Sequence, residues 1–267
     1  MPAPGSPVNP RPKVESFGTG PPLVLLHGWA MHSGMWGSLV AQLATRFRVH
    51  AVDLPGHGHS APVAPYTLDA VVTAVAAAVD GGSEPLTVVG WSLGGVVALR
   101  WAHARPACVA RLVVVCTTPC FVACDDWPHA MAQQTLARFG DELRASYRLT
   151  LLRFLTLQLQ GSAEGRAALA SLRRQLFARG EPAPVVLAEA LAVLAGVDLR
   201  AEVPSIRQPT LVVAGDRDPL TPLPAGTWLA GALPNARFVS IPGAAHAPFL
   251  SHPAAFAAIL TAFFDER

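Results

Sequence analysis

The sequence predicts an α/β fold with a mainly parallel, doubly wound β-sheet. Short apolar runs alternate with segments of helical periodicity along most of the 267 residues. Most of these runs are continuously apolar, which is typical of strands that are buried on both faces of a parallel sheet. Because 51% of the residues are hydrophobic and only 14% are charged, the chain can bury a sizeable core.

These patterns predict six strands and five helices. The strands are expected at Leu23–Leu26, Arg48–Val52, Leu86–Val89, Leu112–Val115, Leu211–Ala214 and Phe238–Ile241. The helices are expected at Met35–Leu43, Leu68–Val79, Gly94–Ala104, Pro224–Ala232 and Pro253–Phe264. Residues 120–200 break the alternation with leucine-rich helical periodicity, which predicts a helical cap inserted between strands six and seven. The α/β core would then comprise residues 13–119 and 201–267, after a disordered, proline-rich leader of residues 1–12.

Composition narrows the classes of function. A net charge of +2 gives no indication of a nucleic-acid partner. The longest uncharged run, Phe17 to Thr45, is interrupted by glycine and proline and does not resemble a membrane span. The four cysteines fit no common zinc or disulfide pattern, so we expect free thiols. We therefore expect a cytoplasmic monomer with no membrane contact, no metal and no other cofactor.

One segment is distinctly basic. Between Arg144 and Arg179 there are seven arginines and a single acid, Glu164. Lys13 is the chain's only lysine, so a compositional bias explains the choice of arginine, but it does not explain the missing acids. This segment indicates an acidic partner.

A candidate nucleophile lies in the stretch Gly90-Trp91-Ser92-Leu93-Gly94. Gly-x-Ser-x-Gly alone is a weak signal, but here it follows a predicted strand and opens a predicted helix. That context is typical of a nucleophile elbow, a tight turn that exposes the serine Oγ at the end of a strand. The alternative is a capping serine at a glycine-rich helix start.

A serine hydroxyl needs a base, and the base needs an orienting acid. In this type of fold the acid and then the histidine follow the serine along the chain. The loop after one late strand offers Asp216 and Asp218, and the loop after the last strand offers His246. We favour Asp218 because it lies deeper in its loop, whereas Asp216 is typical of a turn or an ion pair. His252, beside a proline at a helix start, is interpreted as a cap.

The oxyanion that forms during ester cleavage needs two hydrogen-bond donors. We predict the backbone N–H groups of Leu93, directly after the serine, and of Trp29, in the loop after the first predicted strand. His27 is interpreted as a structural hydrogen bonder. His57 and His59 lie in a glycine-rich loop, and a His-x-His pair without a third ligand is weak evidence for a metal.

Several stretches together resemble the pimeloyl-[acyl-carrier protein] methyl ester esterases of biotin synthesis, which are α/β-hydrolases. They are "LVLLHGWAMHSGMW", "VDLPGHGHS", "GWSLGGVVAL", "PCFVACDDWP", "RFLTLQ" and "AAHAPFLSHP". The resemblance implies that Ser92, Asp218 and His246 are catalytic. It also implies an acyl site formed by Ser92, His246, Trp29 and Leu93 together with the cap residues Phe154, Leu155, Thr156, Leu157 and Gln158.

By this resemblance the enzyme removes a methyl ester from a pimeloyl chain that is tethered through phosphopantetheine to an acyl-carrier protein. Carrier proteins are acidic, and arginines of the cap meet them in this family. Arg153 and Arg166 match such arginines, whereas two further basic positions fall on Leu149 and Ala170. Arg148 or Arg173 would compensate for these losses.

Three other functions stay open from the sequence. A broad carboxylesterase for small esters would share the triad without needing a carrier protein, and a carbon–carbon bond hydrolase would also use it. A catalytically silent ligand receptor on the same scaffold is a third alternative. Dehalogenase and epoxide hydrolase chemistry is disfavoured, because those enzymes have an aspartate where this chain has Ser92.

Overall fold

The computed structural model describes residues 10–79, 84–159, 169 and 172–266. Its sheet has seven strands: β1 (Val14–Phe17), β2 (Pro22–Leu26), β3 (Arg48–Val52), β4 (Leu86–Trp91), β5 (Val109–Val115), β6 (Thr210–Gly215) and β7 (Ala236–Ile241). The strand order is β1-β3-β2-β4-β5-β6-β7. β1 pairs antiparallel with β3, and all other neighbours are parallel. The predicted α/β class with a mainly parallel sheet is confirmed.

The strand order reverses direction next to β2, which has β3 on one side and β4 on the other. Because crossovers between parallel strands are right-handed, connections that run in opposite directions place their helices on opposite faces. All side chains of β2, β4 and β6 are buried. Because helices cover both faces of the sheet, these strands are continuously apolar and do not alternate between apolar and polar residues.

Nine α-helices have bounds within the described residues. They are α1 (Ser38–Leu43), α2 (Leu68–Val79), α3 (Leu93–Ala104), α4 (Gln133–Ala145), α5 (Tyr147–Leu157), α6 (Pro184–Gly196), α7 (Leu223–Ala232), α8 (Pro248–Ser251) and α9 (Pro253–Asp265). None of the helices in these ranges is long and apolar enough to cross a membrane. The four cysteines are free thiols, as predicted.

The helical insertion holds α4, α5 and α6, and it lies between β5 and β6. The sequence predicted that the insertion lies between strands six and seven. This numbering is wrong, because the insertion follows the fifth of the seven strands. The prediction also missed β1. That strand has four residues, lies at the sheet edge and includes two exposed positions, so it carries almost no hydrophobic signal. The division into a cap of residues 120–200 and a core stays a prediction.

A buried carboxylate connects the insertion to the sheet. Asp53, directly after β3, is fully buried and accepts hydrogen bonds from the backbone N–H groups of Ser33 (2.7 Å) and His59 (2.9 Å). Arg179 of the insertion lies 3.5 Å from the Asp53 carboxylate and 2.6 Å from the Glu15 carboxylate of β1. The arginine therefore fixes the end of the insertion against the sheet edge.

We expect the stabilising effect of Asp53 to depend on pH. Burial by itself would raise the pKa of Asp53, but the nearby His27 and the hydrogen bonds from His59 and Ser33 outweigh it and lower the pKa to about 2. The unfolded value is about 3.9, so the carboxylate stabilises the fold above about pH 4. That contribution is lost as the pH falls towards 2.

Asp53→Asn tests this expectation by urea unfolding of both proteins at pH 7 and at pH 3. The difference in unfolding free energy between wild type and variant should shrink by about 1 kcal/mol at the lower pH. An equal difference at both pH values would show that the charge of Asp53 does not stabilise the fold.

Candidate active site

The candidate nucleophile lies at the junction between β4 and α3. Ser92 has a φ of 56°, in the left-handed region that side chains rarely adopt. Glycines make this turn possible: a Cβ on Gly90 would lie 2.3 Å from the carbonyl oxygen of Gly94, and one on Gly94 would lie 2.2 Å from that of Leu26. This is the strand–turn–helix geometry of a nucleophile elbow. A strained backbone that is retained at such a site is typical of a functional position.

The candidate acid and base form a buried pair. His246 Nδ1 lies 2.7 Å from Asp218 Oδ2, and both side chains are buried. Asp218 also accepts hydrogen bonds from the backbone N–H groups of Leu220 (2.8 Å) and Thr221 (3.1 Å) at Oδ1, and from the Thr221 hydroxyl (2.6 Å) at Oδ2. The carboxylate is therefore held by four donors in one orientation.

The charge state of Asp218 follows from these contacts. Burial by itself would raise the pKa of Asp218, but the adjacent His246 and the hydrogen bonds from Thr221 outweigh it and lower the pKa below its ordinary value. The carboxylate is therefore ionised at neutral pH and accepts the Nδ1–H of His246. This leaves the imidazole Nε2 as a proton acceptor.

Asp216 has a different role. It is exposed, and its Oδ1 accepts the backbone N–H of Gly243 at 2.7 Å. This hydrogen bond joins the loop after β6 to the loop after β7, which carries His246. The preference for Asp218 as the partner of the histidine agrees with this geometry.

Trp91 brings the histidine loop to the elbow. Its indole Nε1–H donates to the His246 carbonyl oxygen at 2.7 Å, and the two ring centroids are 5.9 Å apart. At the other side of the loop, the backbone N–H of Ala247 donates to the Gln158 carbonyl oxygen at 3.1 Å. Sequence reasoning missed these roles, although a tryptophan in a buried strand directly before Ser92 signals that its N–H needs a partner.

Both predicted oxyanion donors have a free N–H. Within the described ranges, neither the Leu93 nor the Trp29 backbone N–H donates a hydrogen bond. Leu93 is the first residue of α3, where N–H groups have no partner inside the helix. The loop that carries Trp29 packs on the elbow, since a Cβ on Gly28 would lie 3.3 Å from the Ser92 Cβ. Two donors and the positive end of a helix are therefore available beside Ser92.

A cavity of about 100 Å³ includes Ser92 in its wall. Its lining is almost wholly apolar and comes from the elbow, the insertion and neighbouring loops: Trp29, Phe121, Met131, Thr135, Leu136, Phe139, Phe154, Leu157, Leu191, Leu194 and Leu220. The Trp29 ring packs edge-on against Phe139 and Phe154, with centroids 5.3 Å apart in both pairs. This cavity can hold an uncharged aliphatic group.

The five predicted cap residues lie in different environments. Phe154 and Leu157 line the cavity, whereas Leu155 is fully buried in the hydrophobic core. The Thr156 hydroxyl donates to the Leu152 carbonyl oxygen at 2.9 Å. The Gln158 side-chain amide is buried, and neither its oxygen nor its nitrogen has a hydrogen-bond partner in the described part of the chain. The lining residues Phe139 and Leu191 were not predicted, because only packing decides which face of a helix meets the cavity. Met131, in a loop before α4, was also not predicted.

The neighbouring histidines are structural. His27 donates from Nδ1 to the Gly28 carbonyl oxygen at 2.8 Å and accepts the Leu54 N–H at Nε2 at 2.9 Å. His57 Nδ1 lies 3.0 Å from the Pro55 carbonyl oxygen. Burial lowers the pKa of His27 and also that of His57, so both rings are neutral. His57 and His59 belong to no metal-ligand cluster in the described residues.

Of the predicted docking arginines, the structure describes Arg148, Arg153 and Arg173, and all three lie on the surface of the insertion. Arg148 forms an ion pair with Glu181, and Arg153 lies 4.0 Å from Glu142. Arg173 donates to the Thr156 hydroxyl at 3.2 Å. Arg166 lies outside the described residues.

Known proteins of one fold family are similar to this chain. A family model of the alpha/beta hydrolase fold matches residues 21–253. A protein of Nitrosomonas europaea named pimeloyl-[acyl-carrier protein] methyl ester esterase is 46% identical over 91% of this chain and 95% of its own length. A protein of the same name from Chromobacterium violaceum is 44% identical, over 95% of this chain and 98% of its own.

Solved structures show the same fold. An esterase from Exiguobacterium antarcticum has a TM-score of 0.85 at 21% identity, with 94% of each chain covered. A hydrolase from Pseudomonas aeruginosa has a TM-score of 0.81 at 27% identity, with 94% of this chain and 93% of that chain covered. The chain belongs to the α/β-hydrolase fold family and, within it, to the family of the pimeloyl-[acyl-carrier protein] methyl ester esterases.

Proposed function

We propose that this protein is a serine carboxylesterase that hydrolyses the methyl ester of pimeloyl-[acyl-carrier protein] to methanol and pimeloyl-[acyl-carrier protein] in biotin synthesis. The observation that carries the proposal is the buried Asp218–His246 pair beside the Ser92 elbow, next to an apolar cavity. The names of the relatives supply the substrate.

The first step is acyl transfer to Ser92. His246 takes the Ser92 proton at Nε2 while Oγ attacks the ester carbonyl, and the Asp218 carboxylate stabilises the imidazolium through Nδ1–H. The backbone N–H groups of Leu93 and Trp29 donate to the oxyanion. His246 then protonates the leaving methoxide, and methanol departs.

The second step hydrolyses the acyl-enzyme. His246 takes a proton from water, the hydroxide attacks the same carbonyl, and the proton returns to Ser92 Oγ. Every proton moves between Ser92, His246, methanol and water. We therefore propose a cycle without a metal or another cofactor.

The acyl site selects an uncharged chain end. Trp29, Phe154 and Leu157 offer apolar surface to the methylene chain. No charged residue is among the described residues of the cavity wall. A free carboxylate would lose its hydration there without gaining a cation, so the product should leave readily.

We propose that the carrier protein docks on the cap, residues 120–200, of a monomeric enzyme. Arg148, Arg153, Arg166 and Arg173 would face its acidic surface. Arg148 already pairs with Glu181, and Arg153 faces Glu142, both at exposed positions. Exposed ion pairs of this kind are weak, so the arginines can exchange partners at little cost.

The test compares carrier-bound methyl pimelate with a short free methyl ester as salt rises from about 0.05 to about 0.5 M. Because exposed charges are screened, we expect kcat/KM to fall at least about fivefold for the carrier-bound ester and to change little for the free one. Arg153→Gln should reduce this salt dependence. Arg46→Gln is a matched control, since Arg46 pairs with Asp265, near the chain's end and outside the cap.

Equal kcat/KM values for both esters, with equal salt effects, would contradict the carrier-protein proposal. They would favour a broad carboxylesterase for small esters.

A further inference from the structure

A thiol lies beside the acid and base of the proposed triad. Cys116 Sγ, an Asp218 carboxylate oxygen and a His246 ring nitrogen all lie within 4.8 Å of one another. The three residues are 1%, 6% and 1% exposed. They come together because each lies just beyond the carboxyl end of one of three adjacent parallel strands, β5, β6 and β7. No other cluster of at least three such ligand residues occurs in the described residues.

We propose that Cys116, Asp218 and His246 form a binding site for a borderline-soft divalent cation, Zn²⁺ or Cd²⁺, and that an ion bound there inhibits the esterase. One sulfur, one oxygen and one nitrogen ligand are a donor set that suits these ions. Three protein ligands also leave a fourth coordination position open for water.

The ligand atoms are already held in place. The Cys116 backbone N–H donates to the Val213 carbonyl oxygen at 2.8 Å, and Sγ lies 3.7 Å from the Ala245 carbonyl oxygen. Asp218 is fixed by Thr221, and His246 by Asp218 itself. In a tetrahedral zinc site with bonds of about 2.0 to 2.3 Å, ligand atoms are about 3.4 to 3.8 Å apart. The sulfur therefore has to approach by up to about 1 Å, whereas Asp218 Oδ2 and His246 Nδ1, now 2.7 Å apart, have to separate by about 0.7 Å if both bind the ion.

Charge balance also favours the ion. Thiolate, not thiol, is the ligand for such ions, so the Cys116 thiol has to give up its proton on binding. Binding exchanges that proton for the cation: Cys116–SH and M²⁺ give Cys116–S–M⁺ and H⁺, which leaves to solvent. The thiolate and the Asp218 carboxylate then neutralise the two positive charges, which makes a buried ion less costly.

An ion at this site stops the proposed base. Bound to Nδ1 of His246, the metal replaces the hydrogen bond to Asp218 and the Nδ1 proton moves to Nε2, which can then no longer accept the Ser92 proton. Bound to Nε2, the metal occupies the lone pair that would accept that proton. Inhibition rests on the proposed function, whereas ion binding does not. The two are therefore measured separately.

The test titrates the full-length protein with Cd²⁺ in a buffer that does not chelate metals. Bound Cd²⁺ is followed by the ultraviolet absorption of the Cd–thiolate bond, and activity by hydrolysis of a small methyl ester. The variants are Cys116→Ala and a triple variant, Cys108→Ser/Cys120→Ser/Cys124→Ser, which retains only Cys116. Alanine keeps the Cβ at position 116, where the backbone φ of 45° is equally strained for cysteine and alanine.

We expect wild type and the triple variant to bind one Cd²⁺ with the thiolate band and to lose at least about tenfold in activity, restored by EDTA. Cys116→Ala should keep its basal activity and need at least about tenfold more Cd²⁺ for the same inhibition. When Cys116→Ala is combined with the triple variant, the Cd–thiolate band should be absent.

The proposal is overturned if the triple variant shows no Cd–thiolate band, or if Cys116→Ala is inhibited as strongly as wild type. If Cys116→Ala does not fold, the presence or absence of the Cd–thiolate band in the triple variant tests the proposal by itself. A protein that binds Cd²⁺ through Cys116 but hydrolyses no ester would refute the proposed function and leave the metal site intact.

Discussion

Replacing Ser92 with alanine is expected to lower kcat for methyl ester hydrolysis by at least about 10⁴-fold while the protein stays folded. The variant loses the only atom that bonds to the acyl group, and neither His246 nor the oxyanion donors can replace it. The fold should persist, because Ser92 makes no side-chain cap hydrogen bond to α3 and alanine meets the same backbone strain. Kinetics with the methyl ester and thermal unfolding measure the two effects.

Covalent labelling with a fluorophosphonate separates an enzyme from a silent receptor. Wild type should label at one serine, and Ser92→Ala should not label. Ser205→Ala is the matched control, since Ser205 is an exposed serine whose hydroxyl contacts His103, and it should label normally. Hydrolysis or labelling that survives in Ser92→Ala would refute the assignment of the nucleophile.

Asp218→Asn is expected to lower kcat by about 10⁴-fold, as for an orienting aspartate in a Ser–His–Asp triad. Asp218 Oδ1 accepts the N–H groups of Leu220 and Thr221, so an asparagine must keep its oxygen there. Its NH₂ group then takes the position of Oδ2 and faces His246 Nδ1. The imidazole is forced to carry its proton on Nε2, where it cannot accept the proton of Ser92.

This loss should be the same from about pH 6 to about pH 9, because the lowered pKa of Asp218 keeps the wild-type carboxylate ionised throughout that range. Asp216→Asn is the control. The amide side chain that it introduces retains an oxygen to accept the Gly243 N–H, so kcat should change by less than about threefold. A comparable loss in both variants would mean that the loops, and not the orientation of His246, limit the reaction.

Much of the fold was predictable because the signals are local. The strands β2, β4 and β6 are apolar runs whose composition reports burial on both faces, and several helices follow from periodicity. β1 was not predictable, since a half-exposed edge strand of four residues lacks that signal. The insertion was recognisable as helical from its periodicity. The numbers of the two strands that flank it could not be predicted, because they depend on how many strands the sheet contains.

The candidate site divides in the same way. Ser92 is marked by the local pattern of glycines around it, and Asp218 and His246 lie in loops that directly follow predicted strands. The sequence order of these loops and the convergence of parallel strand ends led to the prediction of these two residues. The role of Trp91 was not predictable, because its partner, the carbonyl oxygen of His246, lies 155 residues away.

Most strands, and the side chains that follow the strand ends, could be predicted from residues that are close in the chain, whereas the half-exposed edge strand β1 could not. Tertiary structure alone decided which of these ends become neighbours. Phe154 faces the cavity and Leu155 the core because of how α5 packs. Cys116 meets Asp218 and His246 because β5, β6 and β7 are adjacent, and adjacency in a sheet is set by the packing of the whole chain.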